Sequence, residues 1–157
     1  MIGRATVVAV GRLKGWAAEG CDDYLARLRR YFPVEVVEVL EEDMNRRTAD
    51  EALAAEGQRL LKRIPAGTHV VALDRERGKA LSSEELALRL DSLGVSGRSN
   101  VAFVLGGPLG LSPEVIGGAD ECLSFGPITL PHALARVVLL EQLYRAVKIE
   151  RGEKYHW

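Results

Sequence analysis

Between Phe125 and His132 the chain reads FGPITLPH, and its residue types leave the main chain chemically unoccupied. Gly126, Pro127 and Pro131 fall within six residues. Proline has no N–H to give to a ladder and resists a helix interior, so the N–H and C=O groups of Ile128, Thr129 and Leu130 cannot all join regular structure. Such groups are available to bond a ligand. A purine offers complementary donors and acceptors between two flat faces, which apolar Leu73, Ile128 and Leu130 could sandwich. On the residues alone, an adenine-type pocket and an awkward connection explain the segment equally well.

Two other loops carry possible chemistry. GGPLGLS, from Gly106, has three glycines that allow close backbone approach, but it lacks the GK[ST] of a Walker loop and the spacing of a dinucleotide fingerprint. A tight turn into a following helix accounts for it as well. The charged turn RERGK, from Arg75, reads as a solvated connection. At the end of the chain, RGEKYHW interleaves Arg151 and Lys154 with Tyr155, His156 and Trp157. Cations among aromatics suit phosphate contact and base stacking, although chain ends also fray. From Arg136 to Trp157 five Lys or Arg stand against three Glu, so the segment is locally basic.

These loops need elements to hold them. Short Val-rich runs predict strands at ATVVAVG, VEVVEVL from Val34, HVVALD from His69, VAFVLGG from Val101 and, more weakly, CLSFGPI from Cys122. Helical spacing covers residues 17 to 31 through Tyr24, Leu25, Leu28 and Tyr31. Thr48 with Glu51, and Ser82 with Glu85, are capping boxes, the first opening a helix to about Arg63. Ser112 and Pro113 predict a short helix that Gly117 and Gly118 weaken at its far end. The final helix begins in a turn that suits Pro131, with Leu134, Val137, Val138, Leu140 and Tyr144 as its expected buried stripe and Glu141 and Arg145 as an i,i+4 pair. Arg136 falls among apolar residues, where a solvated charge is not expected. The alternation predicts an α/β fold, a mostly parallel sheet with helices on both faces, whose ligands bind beyond the carboxyl ends of the strands.

Bulk properties narrow the classes. At 157 residues the chain is expected to form one domain. A formal net charge of -1 argues against coating nucleic acid by bulk charge. Cys21 and Cys122 have no metal-ligand spacing, so no metal is expected, and they read as buried thiols. No apolar run is long enough for a membrane span, and a reducing cytoplasm fits best.

Together, LGGPLGLS, TLPHALARV, EQLYRA and the terminal KYH, with VVAVGRLKGW near the start and VVALD in the middle, resemble the RlmH family of SPOUT-class methyltransferases over essentially the full length. The resemblance implies a C-terminal trefoil knot, an exception to the rule that chains do not thread. It also implies S-adenosylmethionine as cofactor, held by Leu73, Gly107 and the stretch Gly126, Pro127, Ile128, Thr129, Leu130 and Pro131. The implied reaction is methylation of N3 of a pseudouridine in 23S rRNA, within the large subunit or the assembled 70S ribosome. A homodimer is implied too, the tail of one subunit completing the site of the other. N3 must lose a proton before it attacks, so His156 becomes the candidate base or relay. Arg145 and Arg136 become candidates for stabilising the anion or holding phosphate, Tyr155 for stacking, and His132 a structural residue or cofactor neighbour. The chain ends in Trp157 where the family often has a basic residue after Tyr-His, so stacking would replace a phosphate contact. The competing readings are a SPOUT enzyme with another RNA target and a non-catalytic nucleotide- or RNA-binding module. Near-neutral charge points to recognition of an assembled surface rather than free RNA.

Overall fold

A computed structural model of the protein describes residues 1–155. In chain order the elements are β1(Arg4–Val10), α1(Gly15–Leu28), β2(Val34–Val39), α2(Ala49–Arg63), β3(His69–Leu73), β4(Lys79–Ala80), α3(Ser83–Val95), β5(Asn100–Leu105), α4(Pro113–Gly118), β6(Glu121–Ser124) and α5(His132–Glu150). The strands form one sheet in the order β2-β1-β5-β3-β6-β4, and every pairing in it is parallel. Parallel strands buried on both faces read as continuous apolar runs, and β1 is one: all its residues after Arg4 are buried.

Alternation along β1 separates two cores. Ala5, Val7 and Ala9 pack with Cys21, Leu25 and Leu28 of α1, Leu86 and Leu90 of α3, and Leu139, Leu140 and Leu143 of α5. Val8 and Val10 pack with Leu60 of α2 and Val115 of α4. So α1, α3 and α5 cover one face and α2 and α4 the other, as a strand period of two dictates.

The capping boxes form as expected: Thr48 and Ser82 each accept from the N–H of the Glu three residues on, and each Glu side chain returns to the cap N–H. Ser112 caps α4 with Pro113 in its first turn, and Gly117 and Gly118 remain helical.

Elsewhere the expected boundaries and faces shift. The first helix stops at Leu28, before Tyr31. The CLSFGPI run is strand only through Ser124, because its pairing with β3 and β4 ends there and Gly126 turns at φ +97. The RERGK turn runs into a two-residue edge strand, Lys79–Ala80, too short to show a period. Pro131 is the residue that caps α5 and lies just outside the helix. The buried stripe of α5 is Arg136, Leu139, Leu140, Leu143, Ala146 and Val147; of the expected set only Leu140 belongs to it. α5 packs between α1 and α3 and is apolar on nearly every side, so its spacing fits two stripes and only tertiary contact selects one.

Candidate active site

The loops after β3, β5 and β6 converge on a cleft of about 680 Å³ lined by Leu73 to Glu76, Leu105 to Gly110, Leu123 to Gly126, Ile128 to His132, and Ala135. A second hollow of about 520 Å³ lies beside α3, lined by its leucines and by Phe103 with a charged rim of Lys79, Glu85, Arg89 and Glu121; the strand-end cleft is the one built by loops.

Each wall has a local cause. Asp74 donates its N–H to Leu123 C=O at 3.0 Å and accepts the N–H of Gly78 at 2.9 Å, while its carboxylate accepts from Arg77 N–H at 2.6 Å. These bonds fold the charged segment back along β6. Arg75 then reaches across to donate to Pro127 C=O at 3.3 Å. In the β5 loop, Gly110 N–H donates to Gly107 C=O at 3.0 Å. A Cβ on Gly106 would lie 2.1 Å from the carbonyl oxygen of Gly110, so this hairpin closes only around glycine. Ser124 Oγ accepts from Gly126 N–H at 3.1 Å and lies 3.0 Å from Arg75 C=O, fixing the start of the third wall.

The third wall carries the ligand-facing chemistry. Among the described residues, neither the N–H nor the C=O groups of Ile128, Thr129 and Leu130 make a hydrogen bond. The first ordered carbonyl beyond them is that of Pro131, which accepts from Ala135 N–H at 2.9 Å. Three consecutive residues with unengaged peptide groups, beside apolar Leu73, Leu105 and Leu130, suit a flat heterocycle with both donors and acceptors. That arrangement fits the adenine of S-adenosylmethionine. Leu73, Gly107, Gly126, Ile128, Thr129, Leu130 and Pro131 all line this cleft, and Pro127 faces Arg75 at its edge. His132 lines it too.

The remaining candidates lie elsewhere. Arg136 is one helical turn past His132 yet 3% exposed. Its guanidinium donates to the Glu38 carboxylate, to Val10 C=O at 3.2 Å and to Gly11 C=O at 2.9 Å. The arginine thus ties α5 to the ends of β1 and β2, leaving only Nε without a partner among its buried donors. Arg145 and Tyr155 sit at the other end of α5. Arg145 donates from Nε and Nη2 to Glu141 Oε1 at 3.0 and 2.6 Å, which raises its already high pKa, and stacks over the Tyr155 ring at 4.3 Å. Burial first, then hydrogen bonding with Tyr24 and Glu141, pushes the Tyr155 phenol up, which favours its neutral, proton-bearing form. All four tyrosines of the chain meet here: Tyr144 lies 6.2 Å from Tyr24, 6.3 Å from Tyr31 and 5.4 Å from Tyr155. Thirteen residues of helix separate His132 from Arg145, roughly 20 Å at 1.5 Å per residue. One chain therefore does not bring Arg145 and Tyr155 to the cleft. His156, with Trp157, lies outside the described residues.

Sequence reasoning missed Arg75, whose charged turn carried no signal distinguishing a cleft wall from a solvated connection, and Ser124, hidden inside an expected strand. Among the described residues no group of three His, Cys, Asp or Glu could hold a metal ion, and no helix is long and apolar enough to cross a membrane. Cys21 is buried and Cys122 half-buried, neither in a disulfide.

This site lies where three strand-end loops of a parallel sheet meet, and a family model described as "Predicted SPOUT methyltransferase" matches residues 4–156, which makes the chain a member of the SPOUT class. The ribosomal RNA large subunit methyltransferase H of Rubrobacter xylanophilus is 73% identical over 158 residues, 100% of both chains. That of Alkaliphilus oremlandii is 47% identical, over 96% of this chain and 98% of its own. The chain belongs to the RlmH family within the SPOUT class. A solved "Probable Methyltransferase" from Bordetella pertussis Tohama I shares the fold, with a TM-score of 0.55 at 21% identity over 92% of this chain and 96% of its own.

Proposed function

We propose that this protein transfers a methyl group from S-adenosylmethionine to N3 of a pseudouridine in 23S rRNA, acting on the large subunit or the assembled ribosome in the cytoplasm. The observation that carries the reading is the unengaged main chain of Ile128 to Leu130 facing two strand-end loops, in a chain 73% identical to a ribosomal RNA large subunit methyltransferase H. The cofactor supplies an electrophilic methyl on a sulfonium. The peptide groups of Ile128 to Leu130 would hold the adenine edge, Leu73 and Leu130 would cover its faces, and Asp74 and Glu76 could accept from ribose hydroxyls. Gly107 would help to hold the donor, Pro127 and Pro131 fix the bend, and together these loops would orient the methyl group towards the nucleophile and exclude water. The whole chain works as one SPOUT domain, with the segment after Ser124 threaded as its knot.

The proton at N3 has to go to the protein. His156 takes it or relays it, Arg145 stabilises the anion, and Tyr155, held neutral, stacks or donates. Arg136 acts at one remove, holding the Val10–Gly11 corner in place. Arg145, with Tyr155 stacked on it, stands roughly 20 Å along α5 from cleft-lining His132, and Leu134, Val137 and Val138 are only half-buried along the helix. A second copy packed along this helix brings its tail to the cleft of the first, so the working unit is a homodimer.

Incubation of ribosomes from a methylation-deficient strain with labelled cofactor tests the reaction. Label on 23S rRNA, located at N3 of a pseudouridine by mass spectrometry, is the expected result. A protein that binds cofactor yet labels no ribosomal RNA would be the non-catalytic module instead.

A further inference from the structure

We infer that the β1–α1 corner, with Arg12, Lys14 and Trp16, is an rRNA-docking contact that presents the target nucleotide to the cleft. This rests on the rRNA reading above. Trp16 is 64% exposed in the first turn of α1. Among the described residues, four of the seven large hydrophobic side chains left in water project from segments just beyond strand carboxyl ends: Trp16 after β1, Leu40 and Met44 after β2, and Ile128 after β6. The cleft opens on that edge. An isolated exposed apolar residue is ordinary, whereas their concentration on one edge marks a contact surface.

The corner is tied to the cleft by contacts within the fold. A Cβ on Gly107, which lines the cleft, would lie 3.0 Å from Val10 Cγ1. Arg136, one turn along α5 from cleft-lining His132, holds the carbonyls of Val10 and Gly11. Leu13 N–H donates to Glu38 at 3.0 Å, so the corner is braced from both sides. Its charge also fits. Arg12 and Lys14 form no ion pair among the described residues, while the nearby carboxylates do: Glu38 pairs with Arg136, and Glu42 with Arg47 and Arg59. Glu41 stands near, 3.7 Å from where a Gly11 Cβ would be, and exposed Glu19 follows Trp16 by three residues on α1. Two exposed cations and an exposed indole within five residues, neither cation in an ion pair among the described residues, match a phosphate backbone and an unstacked base. The other occupant of such a face is a second copy of this chain, and it predicts different results.

Steady-state methylation of ribosomes by Trp16→Ala, Trp16→Phe and Trp16→Leu, and by Arg12→Ala/Lys14→Ala, decides between them, with cofactor affinity and sedimentation measured alongside. Trp16→Ala and Trp16→Leu are expected to raise the KM for ribosomes about tenfold with little change in kcat, and Trp16→Phe to recover most of the loss, because stacking needs a ring. The double variant should flatten the dependence of log kcat/KM on log salt by about 0.7–0.9 per cation removed. Cofactor affinity and dimer size should match the native protein. Native KM in Trp16→Leu, an unchanged salt slope, or dissociation of the dimer in Trp16→Ala would each overturn the assignment. Failure of the native enzyme to label ribosomes would instead sink the rRNA reading itself.

Discussion

Arg136 and Glu56 show how single buried charges set behaviour that composition hides. Arg136→Ala removes the partner of Glu38 and of two strand-end carbonyls. Breaking a fully buried pair costs about 3–5 kcal/mol, and the part-exposed Glu38 side chain lowers that to about 2–3 kcal/mol, measurable by urea denaturation. Glu56 is 2% exposed; one oxygen accepts from Glu42 N–H at 2.9 Å and the other has no partner. Burial, reinforced by Glu41 and Glu42, raises its pKa. The folded value lies above the unfolded one, so stability from this group is full below the ordinary carboxylate range and declines as pH rises through the folded value. Glu56→Gln keeps the Glu42 bond and should raise Tm by about 2–4 °C at pH 7. The advantage should vanish below about pH 4, where both states of the native protein carry the proton; equal Tm values at pH 7 would contradict it.

At the scale of elements, the three loops act as one device. Gly106→Ala forces the β5 hairpin open against Gly110, so cofactor affinity should fall at least about tenfold while far-UV circular dichroism is unchanged. In α5, Leu143→Ala should cost about 2–5 kcal/mol and Val138→Ala about 1 kcal/mol or less, since only the first is fully buried. Equal costs would mean the wrong stripe faces the core. Local chemistry made much of this legible beforehand: hydroxyl caps at Thr48, Ser82 and Ser112, Val-rich strands, and prolines that exclude regular structure around Thr129 act over a few residues. What was not legible depends on distant partners. The α5 stripe is selected by α1 and α3, Arg136 by strand ends about a hundred residues or more away, and β4 by an edge of β6. The cleft's backbone wall was visible because proline and glycine act locally; Arg75 and Ser124 joined it only through folding.

At the scale of the whole molecule, the described chain divides its machinery between two ends of α5. The cofactor loops gather at one end and the tyrosine cluster with Arg145 at the other, which makes a second subunit part of the proposed site. Truncation after Arg151 should therefore preserve cofactor binding and abolish methylation, and full activity in the shortened protein would remove the tail from the reaction. Sequence was informative about this division only through the basic, aromatic ending, because which subunit's cleft it serves is a property of assembly. The most direct test of the account is calorimetric titration of the purified, full-length protein with S-adenosylmethionine, beside Gly106→Ala. Saturable binding to the native protein and a marked loss in the variant are expected. No binding to the native protein, or equal binding to both, would contradict the claim that the main chain around Thr129 and the Gly106 hairpin grip an adenosyl group.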